Sequence, residues 1–239
     1  MAVPVFRAAG AVAANTAAIT PGMPSGVLTN DILILVLKTH GDQAITVSGG
    51  TETWAEVADS PQNIASQVRL TVFWARASQN SPTSPTTSDS GNHQLGRMIA
   101  VSGCRTSGDP WDVTSGGTST LSITAASITG DTTTLADCLV VAIIAVNQPD
   151  ATSTTGFGSW TNADLATITE RIDNTSSIST GVGTGAGIGL ATGGKATAGT
   201  YAATSVTLAT AAQKAFMTVA LTATAAGLTL ALSGVAATG

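Results

Sequence analysis

The sequence predicts an all-β protein folded as an antiparallel β-sandwich. Its clearest apolar segments are short and are bounded by Gly, Asn, Asp, Pro or Ser, which is typical of strands. No segment has a convincing 3.6-residue apolar period, so amphipathic helices are not expected. The chain is 43% hydrophobic but only 4% aromatic. Such a core is made of small side chains, which allow two sheets to pack closely.

Five segments are predicted strands. The first is a continuous apolar run, which indicates a central strand buried on both faces. Ala163–Ile172 fits an alternating strand as well as a short helix. Ala215–Gly239 carries no charge over a length that could cross a bilayer, but its apolar residues alternate with Thr and Ala, so strands and no membrane span are expected. The five strands are Ile32–Leu37, Arg69–Ala75, Met98–Ser102, Leu139–Val146 and Phe216–Thr222.

An internal sequence similarity indicates that a series of strands is duplicated. Asp31 precedes the first predicted strand and Trp54 follows it, and Asp137 and Trp160 flank the fourth strand at the same spacing. We therefore expect one sandwich domain over residues 19–239 that contains a pseudo-repeat of about 19–120 and 121–239. Residues 1–18 are expected to form an extended N-terminal arm.

The scarcity of charge limits the classes of function. Only 10% of the residues are charged, with nine Lys and Arg and a net charge of -5, against roughly 25% in ordinary soluble domains. Phosphate binding requires clustered basic residues, so no nucleic-acid partner is expected. A weakly charged surface instead favours a protein that lives inside an assembly.

The two cysteines, Cys104 and Cys138, are too few for a disulfide framework and are expected to be buried free thiols. The two histidines, His40 and His93, are too few for a His-based metal cage and are expected in solvated turns. No cofactor or metal is therefore expected.

Gly189–Ala196 nearly matches a phosphate-binding loop, whose glycines and Lys cradle phosphates at the start of a helix. Ala196 stands where that motif needs a hydroxyl, and the following residues read as strand, so we interpret the match as chance.

Asp109 and Asp112 beside Trp111 are the best pair for glycoside hydrolysis, which needs two facing carboxyl groups. Pro110 lies between them, so an exposed turn is the better interpretation. No G-x-S-x-G nucleophile turn is present. The sequence predicts no enzyme and no catalytic residues.

Five segments follow one another in an order that is found in a known family: Asn30–Leu37, Gly49–Trp54, Leu70–Ala77, Ser88–Cys104 and Pro110–Gly117. Over roughly residues 28–147, the chain resembles the β-sandwich structural proteins of tailed-bacteriophage virions. The resemblance implies a jelly-roll capsid cement or decoration protein, usually a homotrimer that binds neighbouring major-capsid subunits on the outer capsid surface. It identifies no binding residues in this chain.

Two other classes of function stay open. One is a phage tail, fibre or baseplate component that recognises the host surface, with sugars stacking on Trp111 or Trp160. The other is a bacterial carbohydrate-binding or adhesin module, which a secretion signal would favour. The N-terminal segment lacks a Leu-rich centre, so no signal peptide is expected and synthesis in the host cytoplasm is favoured. In a virion, the arm and the uncharged tail after Leu228 are candidates to lie across partner subunits.

Overall fold

The computed structural model describes residues 2–65, 67–147, 156–176 and 185–224, and every regular element in these ranges is a β-strand. This confirms the predicted all-β class. The strands are β1 (Val5–Ala9), β2 (Ala13–Asn15), β3 (Ile32–Thr39), β4 (Val47–Ser48), β5 (Ala55–Glu56), β6 (Gln62–Ile64), β7 (Val68–Arg76), β8 (Thr86–Thr87), β9 (Gln94–Ser102), β10 (Trp111–Ile128), β11 (Asp131–Thr133), β12 (Cys138–Val146), β13 (Phe157–Thr161), β14 (Ala166–Ser176), β15 (Ala186–Lys195), β16 (Gly199–Tyr201) and β17 (Thr204–Leu221).

The first sheet has the order β1-β9-β3-β7-β5, with β2 also pairing with β9 and β6 with β7. The second sheet has the order β10-β17-β12-β15-β14, with β13 also pairing with β17. All of these pairs are antiparallel. In each sheet the most apolar strand, β3 or β12, lies between two others, because its residues are apolar on both faces.

The two sheets pack face to face around a shared core. Residues Ile32, Ile34 and Val36 of β3 lie in the same buried cluster as Val141 and Ile143 of β12. The alternate residues of β3, such as Leu33 and Leu35, face an outer layer that contains Ile19, Val27 and Ile45. Both faces of the central strands are therefore covered, and the structure confirms an antiparallel sandwich.

Each sheet is built from one continuous half of the chain, residues 5–102 and 111–221. This arrangement does not confirm the jelly-roll connectivity. The change of sheet falls between Ser102 and Trp111, inside the expected first half-repeat. Strands β1 and β2, both within the expected arm of residues 1–18, pair with β9 of their own chain.

All five predicted strands are present, and the ambiguous segment Ala163–Ile172 contributes to strand β14. The predicted tail after Leu228 lies outside the described residues. No helix long and apolar enough to cross a bilayer occurs in the described ranges.

Candidate interaction site

The longest strand pair continues beyond the second sheet. Strand β17 pairs with β12 only from Leu221 to Lys214, but it pairs with β10 as far as Thr204. We call residues 119–128 of β10 together with 204–212 of β17 the ribbon. The register between these strands shifts at Ser119/Ile123 and again at Ile123/Ala125. Such bulges bend a strand pair and strengthen its twist.

The bend folds the ribbon back over the outer face of the second sheet. Ile128 and Val206 of the ribbon share a buried cluster with Ile144 of β12 and with Phe157 of β13. The Thr218 hydroxyl donates a 2.8 Å hydrogen bond to the carbonyl of Thr129, just after the ribbon. The ribbon is therefore a second layer that buries the outward side chains of β12.

Strand β10 has one free edge. It ends the strand order of its sheet, and within the described ranges its other edge has no strand partner. Near its start, the Thr114 hydroxyl donates to the Asp59 carboxylate at 2.6 Å, and Gln62 packs against Gly116. The later residues, 120–125, are exposed, and the exposed fractions of Leu121 and Ile123 are 63% and 47%.

A groove of about 590 Å³ is lined by the ribbon, by β13, which pairs with residues 205–208 of the ribbon, and by Lys214 and Phe216 of β17. Apolar side chains, including Ile123, Val206 and Phe216, form much of its wall. Six residues with side-chain hydroxyl groups also line the groove: Ser119, Ser127, Ser159, Thr161, Ser205 and Thr207.

Lys214 also lines this groove, with only 2% of its surface exposed. Its Nζ donates 3.0 Å hydrogen bonds to the carbonyls of Ile123 and Ala125, where the bulges turn these groups out of the regular ladder. Burial lowers the pKa of Lys214.

A second buried lysine lies between the sheets. Lys38 at the end of β3 is fully buried, and its Nζ lies 2.8 Å from Nε2 of His93 and donates to the Gly185 carbonyl at 3.2 Å. The His40 ring lies 5.1 Å from the His93 ring. Both imidazole Nδ1 atoms are buried without a hydrogen-bond partner.

Burial lowers the pKa of Lys38 to about 7. Burial, followed by the charges of Lys38 and His40, lowers the pKa of His93 to about 3. His40 also has a lowered pKa, through burial and Lys38. The predicted placement of His93 in a solvated turn is wrong for its side chain, which is fully buried. His40 is half-buried.

The segment that resembles a phosphate-binding loop lies within strand β15, apart from Ala196, and pairs on both sides. Two of its glycines allow neighbouring side chains to pack closely against the strand. A Cβ at Gly189 would come within 2.8 Å of the Phe157 ring, and one at Gly193 within 2.9 Å of Leu165 Cβ. The interpretation of this motif as a chance match agrees with its strand conformation.

Of the candidate glycosidase pair, Asp109 is exposed and Asp112 has a structural role. The Asp112 carboxylate accepts hydrogen bonds from the backbone of Thr134 and Leu135 and from the Thr134 hydroxyl. Trp111 is half-buried and meets Trp74 edge to face at 5.4 Å. Trp160 is buried and its Nε1 donates to Glu170 at 2.7 Å. The burial of Trp160 leaves little ring surface for stacking on a sugar.

Cys104 and Cys138 are free and buried, which confirms the expectation of buried thiols. Burial raises their pKa values to about 12 and about 11, so both stay protonated at neutral pH. Across the described residues, no group of three or more His, Cys, Asp or Glu side chains is arranged to hold a metal ion.

Comparison with known proteins adds no relative. No protein-family model matches this sequence, and no curated protein or solved structure is significantly similar to it.

Proposed function

We propose that this protein is a non-enzymatic structural component of a tailed-bacteriophage virion. In this proposal it is a capsid cement protein on the outer capsid surface, where a homotrimer binds across neighbouring major-capsid subunits. The observation that carries the proposal is the free edge of β10, whose residues 120–125 are exposed and uncharged.

An edge strand presents unpaired N–H and C=O groups that can template pairing with another chain. Proteins usually block such edges with charged residues, proline or short strands. Between Val113 and Gly130 the sequence contains no charged residue and no proline. This edge therefore suits strand addition, in which the partner supplies main-chain hydrogen bonds and covers alternate side chains.

The side chains at the open part of the edge also favour burial. Leu121 and Ile123 are two of the six large hydrophobic residues that stay exposed among those described. A partner strand that covers them would remove apolar surface from water, at roughly 25 cal/mol for each Å². The resemblance of residues 28–147 to virion sandwich proteins supports a capsid subunit as that partner.

The proposal is tested by reconstitution on virions. Particles from a phage deleted for this gene are mixed with purified protein, and bound copies are counted after sedimentation. The variant Leu121→Lys places a charge on the edge, and we expect bound copies to fall about fivefold or more, because edge lysines oppose strand addition.

Leu28→Lys is the control, since Leu28 is also an exposed large hydrophobic residue, at 46% against 63% for Leu121, but lies between β2 and β3, outside the arm and outside any strand. It should bind like the wild type. Both exposed substitutions should change the free energy of unfolding by only about 0.5 kcal/mol.

Cryo-electron microscopy of the reconstituted particles then locates the protein. Density at three-fold clusters on the capsid supports the proposal. Density on the tail would replace it with the tail or fibre function, and particles that never take up the wild-type protein would contradict a virion role altogether.

A further inference from the structure

Lys214 is a buried ammonium without a counter-ion. Its two hydrogen-bond acceptors are the neutral carbonyls of Ile123 and Ala125, and in the described part of the chain it forms no ion pair. A lysine ammonium has three N–H donors. Burial without a partner charge disfavours the charged form, so an anion beside it would be stabilising.

The place where such an anion would lie is already formed, because Lys214 lines the groove on the ribbon and β13. The groove measures about 590 Å³, within the roughly 300–1,000 Å³ of small-molecule sites. Five of its lining residues are apolar and can contact an aliphatic body, and the other seven, Lys214 and six serines and threonines, supply polar groups that can fix a ligand's orientation.

The charge and the walls together define the ligand class. One ammonium neutralises one negative charge, whereas a dianion such as a phosphate would leave charge unpaired beside Val206 and Phe216. A planar carboxylate can accept from Lys214 and from nearby hydroxyls, while an aliphatic body covers the apolar wall. We propose that this groove binds a small amphipathic carboxylate, with the carboxylate at Lys214 and the aliphatic chain along the ribbon.

The experiment compares three eight-carbon probes by titration calorimetry on the full chain: octanoate, 1-octanol and octylammonium. The wild type should bind octanoate about tenfold more tightly than octanol, which corresponds to one charge-assisted hydrogen bond of roughly 1.4 kcal/mol. Octylammonium should bind more weakly than octanol, because it places a like charge at Lys214.

Lys214→Met should reduce the preference for octanoate over octanol to about twofold or less. Lys195→Met is the control, since Lys195 lies at the opposite end of β12 and pairs with Cys138. It should keep the full preference.

A second variant covers the case in which Lys214→Met does not fold. Ser127→Trp fills the groove from an exposed position and keeps the ammonium. It should weaken both octanoate and octanol about tenfold at an unchanged thermal midpoint. Equal affinity of the wild type for octanoate and octanol, absence of binding by both, or octanoate binding untouched by Ser127→Trp would each overturn the proposal.

Discussion

Of the three lysines in this chain, two are buried, and their surroundings differ in kind. Lys38 lies between the two sheets and contacts a neutral base, Nε2 of His93, at 2.8 Å. Lys214 lies on the outer side of the second sheet, donates among the described residues to backbone carbonyls, and lines the groove. A buried charge alone does not mark a binding site; a buried charge that borders a ligand-sized space does.

The difference follows from side-chain direction. Residues alternate between the faces of a strand, so Lys38 follows Ile34 and Val36 into the shared core. Lys214 lies two residues before Phe216 on β17, so it points to the same face as Phe216, towards the outer cluster under the ribbon. Only the second position is close to the bulges, which open the space that the first position lacks.

The largest expected effect comes from replacing Lys38, the lysine that lies between the two sheets. The pKa of Lys38 is about 7 in the folded chain against an ordinary value of 10.5. Between these values the unfolded chain holds a proton that the folded chain lacks, so the free energy of unfolding rises with pH from 7 to 9, by about 2 kcal/mol from this group.

Lys38→Met should remove that rise, as measured by urea unfolding at pH 7, 8 and 9. The two thiols titrate near the upper end of this range in the unfolded chain, whereas burial raises their pKa values in the folded chain. They are present in both proteins, so their contribution cancels in the difference. Lys195→Met should keep the wild-type slope. An identical pH profile of Lys38→Met and the wild type would show that this ammonium is not destabilised by burial.

The second largest effect on stability is expected from His93, which contacts Lys38. The pKa of His93 is lowered to about 3 from 6.5, so the unfolded chain takes up a proton first as the pH falls. The stability that the neutral imidazole contributes is present above pH 6.5 and is lost towards pH 3, by about 1.5 kcal/mol between pH 6.5 and 5.

His93→Gln, which keeps an acceptor for Lys38, should reduce this acid loss by about that amount in the same unfolding assay. His40→Gln is the control and should reduce it less, because His40 is half-buried. Asp173 opposes the loss, since burial raises its pKa to about 6, but it is present in all three proteins. If His40→Gln had the larger effect, the role of His93 would be refuted.

How far the sequence predicts these features depends on the strand. Strand β3 is evident from its apolar run, and counting in steps of two from Ile34 would have placed Lys38 in the shared core. The same count from Leu95 and Ile99 reaches His93. The period-two signal that finds both residues was present in the sequence, but the turn residues beside His93 masked it.

Strand β10 and the groove could not be predicted in this way. Residues Trp111–Ile128 are rich in Thr, Ser and Gly and show no apolar period; their strand conformation comes from pairing with β17. The bulges at Ser119–Ala125 have no local sequence signature. The sequence similarity between the two halves also does not extend to side-chain direction. It aligns Ile32 with Cys138, but Ile32 faces the shared core and Cys138 faces an outer cluster. A shift of one residue exchanges the two faces of a strand.

The smallest expected effect concerns the lysine of the groove. Lys214→Met removes the donor to the carbonyls of Ile123 and Ala125, both partly buried. Because these carbonyls lie at the rim of a groove, water can replace part of the lost bonding, and the free energy of unfolding should fall by about 1 kcal/mol. Native-state hydrogen exchange should show the loss first in the ribbon, where the bulges already interrupt the ladder, while β3 and β12 stay protected. A loss of protection that begins in β3 instead would mean that Lys214 stabilises the whole sandwich. The contrast between a lysine buried in the shared core and a lysine that lines the groove would then fail.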